Sequence, residues 1–237
     1  MNEEPIISRW HELMSYGPMA LPLDEGWSLL SYEEQIGPAL PIEDHLSHCK
    51  IELDKLATQA PVVDSMSEPS KLNYLCTFLF KDLGFTGERE DYHNPLNSLL
   101  HALILRKKGI PISLSALLME VARRVDVNID GINFPGHFLV QPHCLREQGL
   151  IIDPFSGGQT LSRDDLTRKL ERHFDNFDTR KAFRPVSNRQ ILLRMSNNLF
   201  QRYRQDRDPQ GMYRNISRIH LRRSGQQHFV SRSLKHC

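Results

Sequence analysis

The hydrophobic period of this chain switches from helical to alternating near residue 126, and that change limits the folds open to it. From Leu114 the apolar positions Leu117, Leu118, Val121 and Val125 recur at helical spacing, the stripe of a helix that buries one face. From Val127 to Phe134 apolar and polar residues alternate, apart from a shift at Gly131, which is the period of a strand. Pro135-Gly136 makes a turn, and His137–Gln141 and Leu150–Asp153 read as two further strands joined by residues 142–149. Asp153-Pro154-Phe155-Ser156-Gly157-Gly158 is expected to end the sheet, because a proline and two glycines do not continue a ladder. The class expected is α+β, with N-terminal helices packed on a small antiparallel sheet.

The helices before the switch carry their own punctuation. Residues 1–60 read as helical but weakly patterned, broken by Pro18, Pro22, Pro38 and Pro41; within them Leu46, Cys49, Leu53 and Leu56 make Ile42–Ala57 amphipathic. After Ser67-Glu68-Pro69, the positions Leu72, Leu75, Cys76, Leu79, Phe80 and Leu83 follow i, i+3, i+4, i+7, i+8, i+11, and Gly84 stops that helix. A third helix starts at Asn94-Pro95 and is expected to end in Arg106-Lys107-Lys108-Gly109, cations in the last turn followed by a capping glycine. The fourth follows from Pro111-Ile112-Ser113. After the strands, Ser162 with Asp164 and Asp165 opens another helix. Ile191, Leu192, Met195, Leu199 and Tyr203 mark one more over 188–205.

Beyond Gln205 the apolar pattern fails. Residues 201–237 hold nine Lys and Arg against Asp206 and Asp208, while the other 200 residues carry 21 basic and 27 acidic side chains. The net charge of +1 therefore hides an acidic body with a basic end. A composition so poor in apolar residues cannot fill a core, so 206–237 is expected as a disordered basic tail. Tyr213 and Phe229 are too few for a nucleic-acid stacking platform, and no nucleic-acid partner is expected beyond what a basic tail offers. The four cysteines (Cys49, Cys76, Cys144, Cys237) are far apart with no C-x-x-C, which fits reduced thiols. Met1-Asn2-Glu3-Glu4-Pro5 is acidic rather than the start of a signal peptide, and no apolar run approaches the ~18 residues of a membrane span. The expectation is a soluble, cytoplasmic protein.

Three polar residues stand at element boundaries: Ser113 at a helix start, His137 at the start of a strand, Asp153 at the end of the next. In a hairpin centred near Leu145, His137 falls opposite Asp153, and opposed side chains share a face with Cβ atoms ~4.5–5.5 Å apart. The preceding helix could present the Ser113 hydroxyl at its positive end. That is a nucleophile, base and orienter in three pieces. Against it, a Ser at a helix start is an ordinary N-cap, and a His–Asp hydrogen bond can simply close a sheet. Ser115 is a second candidate if the helix starts later. His101, amid Leu99, Leu100, Leu103 and Ile104, reads as a helix-surface or satisfied core histidine. His45, His48 and Cys49 share a helix face but lack the further ligands of a zinc site. No phosphate loop, dinucleotide fingerprint, Gly-x-Ser-x-Gly elbow or His-Glu-x-x-His occurs, and no cofactor or metal is implied.

The stretches Gly109-Ile110-Pro111-Ile112-Ser113-Leu114, Phe134-Pro135-Gly136-His137-Phe138-Leu139-Val140 and Ile152-Asp153-Pro154-Phe155-Ser156-Gly157-Gly158 resemble the transglutaminase-like domain of an uncharacterised bacterial family, the SirB-one type, over roughly residues 40–180. The resemblance implies a papain-like core in which a Cys opens a helix and a His and an Asp follow on successive strands. Carried over by position, the nucleophile falls on Ser113, the base on His137 and the orienter on Asp153. The thiol position is therefore Ser, and members of the family commonly lack this cysteine. They often continue into tetratricopeptide-like helices; residues 188–204 look like the first of these, whereas 206–237 do not match a second. A frame change or truncation in the coding sequence would produce such an end.

The expected organisation is an irregular or helical extension over 1–40, a transglutaminase-like domain over 41–180, a helical stub over 188–205 and the basic tail over 206–237. Two functions are expected to compete. One is a non-catalytic module that binds a protein or peptide in a groove beside the sheet. The other is a serine-dependent acyl-transferase or amide hydrolase using Ser113, His137 and Asp153.

Overall fold

A computed structural model describes residues 4–18, 20–34, 40–173 and 178–216. In chain order these residues form α1 (Glu4–Ser15), α2 (Leu23–Glu33), α3 (Ile42–Gln59) and α4 (Glu68–Thr77), the last continuing as a π-helical turn, Phe78–Asp82. Next come β1 (Thr86–Gly87), a 3-10 turn Pro95–Ser98, α5 (Leu100–Arg106), β2 (Lys108–Gly109) and α6 (Pro111–Arg123). Strands β3 (Ile129–Ile132), β4 (Leu139–Pro142), β5 (Leu150–Asp153) and β6 (Gln159–Ser162) precede α7 (Arg163–His173), α8 (Thr179–Ala182), β7 (Pro185–Val186) and α9 (Asn188–Gln205). A last helix covers 209–216. No helix among the described residues is long and apolar enough to cross a membrane.

Two compact units share the chain. The first is drawn from Met1–Lys50, His93–His101 and Ser187–Cys237, the second from Ile51–Tyr92 and Ala102–Val186. In the first unit α1 and α9 both pack on α2, and Trp10, Trp27, Leu29, Ile191 and Leu192 have no exposed surface. Within the segment 1–40 expected as an extension, α1 and α2 thus supply much of a core. Its polar groups are matched across long sequence separations. Trp10 Nε1 donates to Glu33 Oε1 at 2.6 Å and Trp27 Nε1 to the Ser98 carbonyl at 2.8 Å. Arg189, 1% exposed, donates to the Met14 and Tyr16 carbonyls at 2.8 and 3.0 Å. It so satisfies the end of α1, where a cation also suits the helix dipole.

The basic tail is corrected at its beginning. Asp208 Oδ1 accepts from the Gln210 and Gly211 amides, each at 3.1 Å, and so caps the helix over 209–216. That helix is held by a buried carboxylate. Glu34, at the end of α2, accepts from the Tyr203 hydroxyl, from Arg214 Nη2 at 2.9 Å and from Asn215 Nδ2 at 3.0 Å. An apolar period could not signal this helix because its anchor is polar. Residues 217–237 of the expected tail lie outside the described residues.

The second unit is built around α6, where Leu114, Leu117, Leu118 and Val121 are wholly buried and each contributes roughly 1.5–3 kcal/mol of transfer free energy. The helix packs on β3 and β4 of a five-stranded antiparallel sheet of order β6-β5-β4-β3-β7. Ile132, Leu139 and Ile151 form a second cluster with Leu166, Leu170 and Phe183 of the α7–α8 region. Two predicted boundaries are corrected here. The third helix is a 3-10 turn and then α5, separated by Leu99 in an extended conformation. Lys107, at φ 56°, takes the left-handed capping position, which frees Lys108–Gly109 to pair with β1 in parallel. The sheet also does not end at Gly158. Gly157 and Gly158, at φ 72° and 79°, reverse the chain, and β6 then pairs with β5 through Asp153↔Gln159 and Ile152↔Thr160.

Candidate functional site

All three site residues predicted from the sequence belong to the second unit. Pro111, which has no N–H to donate, opens α6 at the position that needs none. Ser113 is therefore two residues inside the helix rather than its N-cap. Its hydroxyl reaches back, accepting from the Ile110 amide and donating to the Ile110 carbonyl, both at 3.0 Å. Ser113 has no exposed surface, and Gly109 lies so close that a Cβ there would stand 2.7 Å from Ser113 Oγ. Ser115 is equally buried and donates to the Phe138 carbonyl at 3.4 Å.

His137 and Asp153 meet, by a different register from the one the hairpin arithmetic gives. The His137 amide donates to the Phe134 carbonyl at 3.0 Å, closing the Pro135-Gly136 turn, so β4 begins only at Leu139. Val140 faces Ile152, which shifts the pairing by two residues and puts Leu139, not His137, opposite Asp153. The 3-10 turn His143–Leu145 moves the centre of the connection to Arg146. His137 approaches on the diagonal, which long side chains still span, and His137 Nε2 lies 3.0 Å from Asp153 Oδ2. A carboxylate only accepts, so this nitrogen carries the proton.

Asp153 does more than orient the imidazole. Its Oδ1 accepts from the Phe155 and Ser156 amides at 3.0 and 3.3 Å, and Oδ2 accepts from the Ser156 hydroxyl at 2.9 Å. Burial opposes ionisation, but hydrogen bonds from His137 and Ser156, with the charge of the imidazole, more than offset it and hold the carboxyl below its usual value. The imidazole side chain keeps 25% of its surface and the carboxylate 9%: one is reachable, the other is not.

The sequence reading did not pick out the ring around which these groups are set. Phe155 meets His137 edge-on at 5.9 Å and Tyr92 edge-on at 6.1 Å, while the Arg89 guanidinium lies 4.9 Å over its face. Gly87 explains the close fit, because a Cβ there would come within 2.6 Å of Phe155 Cε2 and 2.8 Å of its carbonyl. Beside it Glu88 is buried and accepts from Lys108 Nζ at 3.0 Å and from the Glu90 and Asp91 amides. The Lys108 contact, then those amides, push its carboxyl down to about 2. Phe155 stands inside the motif that ends in two glycines and was there to be found; Arg89 and Tyr92 carried no signal.

Among the described residues no group of three His, Cys, Asp or Glu side chains is placed to hold a metal ion. In the first unit Cys49 Sγ lies 3.6 Å from His45 Nε2, and His101 packs edge-on against His45 at 5.7 Å. Burial, chiefly, pushes His45 down to about 4. Nδ1 of His101 is buried without a hydrogen-bond partner, so this histidine is less satisfied than expected.

Of the three predicted residues the structure joins two, an oriented imidazole beside a buried carboxylate, while the Ser113 hydroxyl is bonded to Ile110. A family model described as the transglutaminase-like superfamily matches residues 47–197. A UPF0162 protein of Xylella fastidiosa is 31% identical over 209 residues, covering 86% of this chain and 72% of that protein. F-box only protein 21 of Homo sapiens is 32% identical over 153 residues, which are 61% of this chain but 22% of that protein. Protein SirB1 of Salmonella typhimurium is 26% identical over 117 residues, 48% of this chain and 43% of that one. No solved structure matches. The family match and the coverage of the Xylella relative agree with one another: the chain belongs to the transglutaminase-like superfamily and, within it, to the UPF0162 family.

Proposed function

We propose that this chain is a transglutaminase-like module that binds a peptide or protein segment without cleaving or transferring it. The Ser113 hydroxyl carries the reading. It is buried, gives its proton to the Ile110 carbonyl and takes one from the Ile110 amide. A serine nucleophile needs a base aligned to take that proton and an oxyanion site for the product; here the hydroxyl is spent on holding the first turn of α6. The human relative supports a portable module, since the matching stretch is about a fifth of a longer protein. A cytoplasmic location is part of the same reading, supported by Cys49, Cys76 and Cys144, which form no disulfide among the described residues. The short turn between α9 and the helix at 209–216 supports the tetratricopeptide likeness of the C-terminal helices.

One observation favours the competing reading, a serine-dependent acyl-transferase or amide hydrolase: the oriented His137–Asp153 pair. A fluorophosphonate probe separates the two. We expect no label at Ser113 by peptide mass spectrometry. We also expect Ser113→Cys to stay unreactive to iodoacetamide in the folded protein, because the side chain at that position has no exposed surface. Probe labelling that vanishes in Ser113→Ala would replace the binding reading with the enzymatic one.

A further inference from the structure

The ring of Phe155 has work around it that acyl-transfer chemistry does not use. From Arg89 stacked on Phe155 beside His137 we infer that this site reads a single carboxylate of a bound peptide, an acidic side chain or a free C-terminus. The inference rests on the binding reading above and names its ligand class.

Arg89 is exposed and, among the described residues, has no carboxylate partner. Glu88, which precedes it in the chain, is turned inward onto Lys108 and two amides and is not available to neutralise it. The guanidinium lies 4.9 Å over a ring packed closely on Gly87; that contact restricts the side chain, so less freedom is lost when a ligand arrives. A planar fork of N–H donors matches a carboxylate in two parallel hydrogen bonds. His137 meets the same ring edge-on at 5.9 Å and has its proton-bearing nitrogen anchored by Asp153, so both groups are set around one aromatic ring. Tyr92, 39% exposed and edge-on to Phe155, adds an amphipathic wall for the apolar stem of the bound residue.

The charge balance selects among anions. Exposed Glu90 and Asp91 follow Arg89 directly. They repel a phosphate dianion or a polyanionic strand more strongly than a single carboxylate, because the repulsion scales with the ligand's charge.

The test is a random heptapeptide phage library selected on the full chain, followed by fluorescence-polarisation titration of a recovered peptide. The expected result is enrichment of Asp, Glu or a free C-terminus. Replacing that acid by its amide should weaken binding about tenfold, and Arg89→Gln should do the same. Arg89→Lys, which keeps the charge but not the fork, should fall between. Arg89 is on the surface, so these variants fold, and an unchanged thermal midpoint checks it. Peptides that bind without acid enrichment, or whose affinity ignores Arg89, would overturn this inference and leave the binding reading standing. A library that yields no binder would overturn both.

Discussion

Removing Arg214 tests whether the C-terminal helix belongs to the first unit's core. Glu34 is 6% exposed and sits at the end of α2, where the helix field disfavours a negative charge. Its charge is tolerated because Arg214, Tyr203 and Asn215 converge on it. Arg214→Ala leaves the carboxylate buried with only two neutral donors. Breaking a fully buried pair costs about 3–5 kcal/mol; the Arg214 side chain keeps 37% of its surface, so water takes up part of the loss and about 2 kcal/mol is expected. For a chain of this size that is a midpoint lower by roughly 4–8 °C. Glu34→Gln removes the charge while keeping an acceptor, so Arg214→Ala in that background should cost far less, a coupling of about 1–2 kcal/mol. Both tryptophans, Trp10 and Trp27, lie in this unit, and intrinsic fluorescence during urea unfolding therefore reports on it alone. If Arg214→Ala unfolds within about 0.5 kcal/mol of wild type, below the usual range for a damaged buried network, or the two changes add without coupling, the helix over 209–216 is not held by Glu34.

The His–Asp pair makes a pH prediction. Asp153 has a depressed folded-state value, so its stabilisation is present above the ordinary carboxyl range near 4 and fades as the pH falls through the folded value. Asp153→Asn should lower stability by about 1–2 kcal/mol at pH 7, and in urea melts the gap between variant and wild type should narrow progressively as the pH falls below the ordinary carboxyl range; a gap that does not narrow would mean that charge is not the cause. Gly87→Ala should push Phe155 off β1 at a cost of about 1–3 kcal/mol and move the His137 ring resonances in NMR. Unmoved resonances would show that the ring does not depend on the close approach at Gly87.

What could be read from the sequence tracks the kind of force at work. The apolar stripes of α4, α6 and α9 were legible because burial of leucine at 3.6-residue spacing leaves a record in the chain itself. The His137–Asp153 meeting was legible too, although the assumed register was two residues off, because a diagonal pair in a hairpin is nearly as close as an opposed one. Gly157 and Gly158 misled for a physical reason: the left-handed backbone that stops one strand is also what turns the chain back into β6. Lys107 did so likewise, taking the cap expected of Gly109.

The helix over 209–216 and the cradle of Phe155 were not legible, because both are made by polar or aromatic contacts between segments far apart in the chain. Glu34 meets Arg214 across 180 residues, and Arg89 meets Phe155 with no period to announce it. An apolar core can be inferred from each helix separately, since every leucine stripe needs only some other apolar face. A buried charge needs one particular partner, and nothing in its own segment says where that partner is. The acidic body and the basic C-terminal stretch show only an asymmetry of bulk charge. Arg214 on Glu34 turns that bulk asymmetry into one specific contact, which is why the charge there cannot be treated as solvated surface.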